Sequence, residues 1–236
     1  MGNGNSITGY RILRVKANSP AAEIAVEPML DFIVYPPPDT TSTLTFSDYI
    51  STNENKEVEL TIFNMATQQM RKCKLTPRKW EGDGLLGFVV NQENYKEAHA
   101  QVIHVLDFLV DGPMYDAGLK PRTDYIIGTE HYIFTSFKDF SNFISTNEKK
   151  PINLFVYNSE EEKARIVTLV PNKDWGGPGS LGGDVGIGHF HSLPIRKKVE
   201  EGNKVENNKI QENTEVTSEI TNATESKEEE AKSESN

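Results

Sequence analysis

Two stretches of this chain carry the same residues in the same order, so whatever fold one adopts the other must adopt as well. Pro20, Pro28, Asp31 and Ile33 recur as Pro113, Pro121, Asp124 and Ile126, each 93 positions later. Ile50-Ser-Thr-Asn-Glu54 recurs as Ile144-Ser-Thr-Asn-Glu148, and Arg71 and Pro77 as Arg165 and Pro171, now at 94. Trp80-Glu-Gly-Asp-Gly-Leu-Leu-Gly87 recurs as Trp175-Gly-Gly-Pro-Gly-Ser-Leu-Gly182, at 95. An offset that grows by single steps is what one-residue insertions in loops produce. The period is too long for a solenoid unit and suits one small domain per copy. We therefore expect a tandem, residues 9–92 and 98–194, with a short segment 1–8 before it. Two related surfaces in one body point to bridging more than to catalysis.

The remainder of the chain has a different composition. Residues 197–236 hold eleven Glu and six Lys and no aromatic residue. Such a segment cannot bury enough apolar surface to offset the entropy of ordering, and the sequence predicts a disordered acidic tail. The formal charge of the whole chain is −10, and no basic stripe offers itself to a phosphate backbone, which argues against nucleic acid as a partner. Cys73 is the only cysteine, so no intramolecular disulfide can form. No apolar run approaches the roughly 20 residues needed to span a bilayer. The polar N-terminus lacks the apolar core of a secretory signal. The expectation is a cytosolic protein, held to a membrane only by something covalent.

The N-terminus offers a site for such a group. Met1-Gly2-Asn3-Gly4-Asn5-Ser6 fits the N-myristoylation pattern, in which an unhindered Gly amine is exposed once Met1 is removed and a small hydroxyl residue follows at position six. Gly2 is the expected acylation site, and covalent myristate is the only non-protein group expected. One myristoyl chain gives an association constant on the order of 10⁴ M⁻¹, so a second attachment is needed for stable anchoring. Arg11, Arg14 and Lys16 lie close by, but they alternate with apolar residues and are expected to form the solvent face of a strand.

Within each copy the pattern predicts an α+β unit. Tyr10–Val15 reads as a strand, Ser19-Pro20 opens a one-turn helix over Pro20–Val26, and Asp31–Val34 is a buried strand. A second helix is expected around Phe46–Ser51. Strands over Val58–Phe63 and Met70–Leu75 follow, then the Trp–Gly loop and a last strand. Copy two repeats this order: a strand over Val102–Leu106, a short helix from Pro113 ended by Gly118, and a strand from Asp124. A helix then spans Phe137–Ser145, with Phe137, Phe140 and Ile144 on one face, and strands occupy Ile152–Tyr157 and Arg165–Val170. Each copy should be a small, mostly antiparallel, barrel-like sheet with two short helices.

This order, together with Gly84-Leu-Leu-Gly-Phe88 and the run Asp111-Gly-Pro-Met-Tyr-Asp-Ala-Gly-Leu119, resembles a PDZ domain. The glycine loop here closes each repeat instead of opening it, which is similar to the circularly permuted, prokaryotic-type PDZ arrangement. With Met-Gly-x-Gly-x-Ser at the start, the two Trp–Gly loops and Gly186-Ile-Gly-His-Phe-His-Ser-Leu-Pro194, residues 1 to about 195 resemble the Golgi reassembly and stacking proteins. The resemblance implies a peptide groove in copy one formed by Leu85, Leu86, Gly87, Phe88 and Val90, faced by Phe46, Tyr49 and Ile50. It implies a second groove at Leu181, Gly182 and Gly183, faced by Phe140 and Ile144. In such a loop, converging backbone amides hold a carboxylate. Trp80 and Trp175 are expected to pack beneath the loops. Phe190 and Leu193 are expected to act as an internal ligand for the first groove of a neighbouring molecule.

The chain departs from the family pattern in several places. Trp80-Glu81-Gly82 replaces Trp-Gly-Gly, and Asp184 stands where the family usually has Gly, where it would repel a ligand carboxylate. Arg11 and Leu13 occupy the positions of zinc-holding His residues in some animal members, so no metal is expected. The acidic tail contains no Ser-Pro or Thr-Pro pair, unlike the long Ser/Pro-rich region of animal members.

No catalytic constellation is evident. His99, His104, His131, His189 and His191 stand away from any nucleophile motif, and His189 and His191 alternate as if on one face of a strand. The resemblance implies a myristoylated peripheral protein on the cytosolic face of Golgi membranes and ER exit sites. It would bind golgin-type coiled-coil proteins and the C-termini of transmembrane cargo receptors, self-associate in trans, and so tether and stack membranes. The alternatives are a cytosolic PDZ-type adaptor for such tails that does not stack membranes, including one serving unconventional secretion, and a regulatory fragment of a protease.

Overall fold

The computed structural model describes residues 8–38 and 42–196. Gly2 with its acylation motif and the acidic tail lie outside the described residues. β1 (Thr8–Val15), β2 (Asp31–Val34), β3 (Val58–Asn64), β4 (Gln69–Leu75) and β5 (Phe88–Asn94) form one antiparallel sheet in the order β4-β3-β2-β1-β5. β6 (Ile103–Phe108), β7 (Asp124–Thr129), β8 (Ile152–Asn158), β9 (Lys163–Leu169) and β10 (Gly183–Gly186) form a second, in the order β10-β6-β7-β8-β9. The two orders are the same topology. In each, the strand after the glycine loop returns to the first strand of its copy and forms an edge of the sheet. That is the permuted PDZ-like arrangement expected from the residue order.

The helices are short. Copy one has a single 3₁₀ turn at Pro20–Glu23, three residues shorter than expected, and α1 (Phe46–Thr52). Copy two has α2 (Pro113–Asp116) and α3 (Phe137–Thr146). Pro at the first helical position starts both short turns, because its fixed φ suits a helix start and its missing N–H is not needed there. Ser19 stands at the expected cap position, but its hydroxyl donates to the Lys16 carbonyl (2.7 Å) instead of capping. Thr45 and Ser136 do cap, accepting from the amides of Asp48 and Asp139 at 3.1 Å each.

Each sheet has its own core. Ile12, Ile33, Ile50, Leu60, Ile62 and Leu86 pack together in copy one, and Ile103, Ile126, Phe134, Phe140, Leu154 and Val156 in copy two. A further apolar cluster joins the copies. It takes Phe32, Val34 and Phe63 from the first sheet, Tyr125, Ile127 and Tyr157 from the second, Tyr95, Ala98 and Val102 from the segment between them, and Leu193. Around β2, therefore, both faces of the first sheet are covered, whereas β4 and β5 keep exposed side chains.

That cover overturns the expected place of Arg11. The residue is buried, not solvent-facing: its guanidinium grips Glu93 with two hydrogen bonds (2.7 and 2.9 Å), donates to the Met29 carbonyl (2.7 Å) and lies 4.6 Å from the Phe32 ring centre. Alternation predicts a solvent face only when one side of the sheet is open. Arg14 is exposed as expected and pairs with Glu130 of the other copy.

A polar knot is built twice. Asp31 and Asp124 are fully buried. Asp124 accepts from Asn158 (2.7 Å), the Lys120 amide (2.8 Å) and both terminal nitrogens of Arg165 (2.9 and 2.5 Å). Asp31 is held in the same way by Asn64 (2.8 Å), the Glu27 amide (2.6 Å) and Arg71. These hydrogen bonds to a carboxylate raise both arginines above their ordinary pKa. The buried charge is thus saturated with donors, as a buried carboxylate has to be.

Candidate functional site

The two Trp–Gly loops have one geometry, set by sterics. In the first loop, a Cβ on Gly82 would fall 2.2 Å from Trp80 Cη2, so only glycine lets the indole lie on the backbone. The indole N–H donates to the Gly84 carbonyl (3.1 Å). Gly87 has φ of +85°, and a Cβ there would meet Ser19 Cβ at 2.1 Å. In the second loop Gly177 lies under Trp175 at the same 2.2 Å, Trp175 donates to the Gly179 carbonyl (2.9 Å), and Gly182 has φ of +70° against Gly112. The tryptophans pack against the loops as expected.

The loop carbonyls are committed to the scaffold, again in parallel. Leu85, Leu86 and Gly87 accept from the amides of Arg78 (3.1 Å), Ala21 (2.8 Å) and Lys16 (2.9 Å). Ser180, Leu181 and Gly182 accept from Asn172 (2.8 Å), Met114 (3.0 Å) and Leu109 (2.8 Å). The amides of Leu86 and Gly87, and of Leu181 and Gly182, donate to no backbone carbonyl among the described residues. Fixed carbonyls with uncommitted amides are what a backbone anion-binding turn requires.

In copy one, Leu85, Phe88, Phe46 and Tyr49 are half-buried and pack on the first core, whereas Ile50 and Leu86 belong to it. Tyr35 meets Phe46 and Tyr49 at ring-centre distances of 5.5 and 5.1 Å, and Tyr10 meets Phe46 at 5.2 Å. This aromatic cluster backs α1. Sequence reasoning missed Tyr10 and Tyr35, whose contribution depends on sheet neighbours. Val90 is 38% exposed on the edge strand β5.

In copy two, all five expected residues, Leu181, Gly182, Gly183, Phe140 and Ile144, line one cavity of about 260 Å³ between α3 and β10. An adjoining cavity of about 390 Å³ is bounded by Asp107, Phe108 and Leu109. The N-terminal turn of α3 is fixed by Asp139, whose carboxyl accepts from the Tyr132 hydroxyl (2.5 Å) and the Thr135 amide (2.9 Å). These bonds, the Tyr132 bond foremost, hold Asp139 below the usual carboxylate range.

The segment after β10 corrects an expectation. Leu193 is 2% exposed and packed in the cluster between the sheets of its own chain, its amide bonded to the His99 carbonyl (2.8 Å). In this conformation it is not free to enter a neighbour's groove, whereas Phe190 is fully exposed. Arg196 completes a strap. Its amide donates to the Ala66 carbonyl (2.6 Å), and its side chain reaches Tyr157 (3.1 Å), Glu27 (3.2 Å) and the Glu162 carbonyl (3.2 Å). His189 and His191 fall in a 3₁₀ turn, not on a strand, and His191 packs beside His104 with ring centres 5.7 Å apart. Among the described residues no group of His, Cys, Asp and Glu is arranged to hold a metal, and no helix is long and apolar enough to cross a membrane.

Two sheets of one topology, each closed by a glycine loop and an edge strand beside a short helix, define a tandem PDZ-like protein. The family model described as the GRASP55/65 PDZ-like domain matches residues 4–79 and 60–196, and the chain belongs to that family. It is 39% identical over 196 residues to Golgi reassembly-stacking protein 1 of Homo sapiens and to that of Mus musculus, matches that take in 80% of this chain and 43% of each relative. An uncharacterized protein of Schizosaccharomyces pombe is 32% identical over 191 residues, 79% of this chain and 53% of that protein. The chain therefore spans less than half the length of the mammalian relatives it matches.

Proposed function

We propose that this protein is a lipid-anchored tether of Golgi and early secretory membranes, acting on their cytosolic face. It binds through its first PDZ-like groove and links membranes by self-association. The observation that carries this reading is the edge strand β5, which follows a glycine loop with uncommitted amides and has a neighbouring strand on one side only. An edge of this kind takes up an extended peptide by strand addition, with the loop amides on the peptide carboxylate and side-chain pockets giving specificity. Family membership supports the Golgi assignment, since the mammalian relatives are named for reassembly and stacking of that organelle. Golgin-type coiled-coil proteins and cargo-receptor C-termini are the partners this reading implies. The units are residues 9–92 and 98–194.

The acyl group at Gly2 supplies membrane attachment that one chain alone gives only marginally, and self-association adds the second attachment. Apposed membranes then hold many weak contacts at once. Since Leu193 is engaged within its own chain, Phe190 is the residue of the 188–194 segment ready to meet a neighbour. The anchor is tested by Gly2→Ala, which blocks acylation. The variant should be cytosolic by fractionation and microscopy, and wild-type levels on Golgi membranes would refute the lipid anchor.

A further inference from the structure

The two grooves share one backbone and differ in charge, since the second carries two carboxylates unpaired among the described residues where the first carries ion-paired cations. Arg14 pairs in register with Val89 across β1 and β5, and Asp107 with Asp184 across β6 and β10. The Lys16 amide bonds to the Gly87 carbonyl, and in the other copy the Leu109 amide bonds to the Gly182 carbonyl. Beside the first loop, therefore, stand two cations, Arg14 and Lys16, each paired with a carboxylate, Glu130 and Asp83. Beside the second stand two carboxylates and a leucine. Asp107 and Asp184 are both exposed, and neither is paired with a Lys, Arg or His among the described residues. Like charges directly opposite each other on an antiparallel ladder destabilise it, and a cation placed between them relieves that repulsion.

The cavity makes this a groove and not just an acidic surface. Both carboxylates border the space of about 390 Å³ that adjoins the apolar cavity against α3. Leu109 and Phe137, each about half exposed, offer apolar rims on either side. β10 is an edge strand, open to strand addition, and a bulge just after Asp184 changes the direction of its side chains. We propose that the second groove binds an extended segment of a partner protein that carries a lysine or arginine side chain between apolar residues, with the cation seated between Asp107 and Asp184. A free C-terminal carboxylate is selected against by the same two charges. The two grooves would then take different partners at once. This proposal stands whether or not the first groove binds as proposed above.

The test uses the full chain and two fluorescein-labelled probes, acetyl-Leu-Val-Lys-Val-Leu-amide and the same peptide with Glu for Lys. Binding is read by anisotropy and its site by amide chemical shifts. The lysine probe should bind about fivefold tighter, the upper end of what an exposed ion pair contributes, and it should shift Gly182 to Val185. The double variant Asp107→Asn, Asp184→Asn should lose the preference with a thermal midpoint at or above that of the wild type, because the opposed charges are gone, and the double variant Asp107→Lys, Asp184→Lys should reverse the preference. Equal binding of the two probes, a preference that survives the double variant, shifts confined to β5, or no binding of either probe would each overturn the proposal. So would lysine-probe binding that appears only after residues 197–236 are removed, which would make the chain's own tail the occupant.

Discussion

The repeated knot of Asp, Asn and Arg is the most constrained polar feature of the molecule, and its members are not equivalent. Asp124 is fully buried, whereas the Arg165 side chain is 29% exposed. Removing the aspartate charge leaves an arginine that can turn to water. Removing the arginine leaves a carboxylate that cannot. Arg165→Met should therefore cost about 3 kcal/mol, in the range for breaking a buried pair, and more than Asp124→Asn. Urea unfolding of the two variants measures this, and equal costs would contradict the asymmetry. The repeat picks out Asp31 and Arg71 with their partners in copy two, because both knots use the same residues at nearly the same spacing. Arg11 was not legible in that way. Its burial depends on Glu93 and on the apolar layer between the sheets, and neither shows in the alternation of a single strand.

At the scale of elements, the Trp–Gly loops were readable because their constraints are local. Indole packing, a carbonyl turned toward the indole N–H and one close backbone approach each demand a residue type at a fixed spacing. The glycines should therefore differ in sensitivity. Gly84 has φ of +74° with nothing within 4 Å of a Cβ, so Gly84→Ala should cost only the left-handed strain, about 1–2 kcal/mol. Gly87→Ala adds a clash with Ser19 and should cost clearly more, with loss of ligand binding at the first groove. Thermal unfolding of the two variants checks the order, and a Gly87→Ala protein as stable as Gly84→Ala would refute the close approach. Helix ends were harder to read: the first turn closes at Glu23 and not at Val26, since Ile24 is already extended. The second groove was legible as a set of residues but not as a cavity, because α3 and β10 meet only through the fold.

At the scale of the whole molecule, the strap formed by residues 187–196 fastens one copy to the other. The sequence offered no sign of this, since contacts between copies do not repeat. Truncation after Arg196 should leave the thermal midpoint unchanged. Truncation after Ser192 removes both Leu193 and Arg196 and should lower stability by about 2–5 kcal/mol, the loss of one buried leucine with its cavity. Equal midpoints for the two truncations would show that the strap adds nothing. The central claim is that the anchored protein joins membranes through its first groove. It is best tested with full-length, N-myristoylated protein on vesicles, with clustering followed by light scattering. Val90→Asp suits the purpose, because it puts a charge on an exposed position of the edge strand and leaves the core intact, unlike a charge at buried Leu86. The account predicts that the wild type clusters vesicles and that folded Val90→Asp binds them equally well but leaves them dispersed. Clustering by Val90→Asp at the wild-type rate would contradict it.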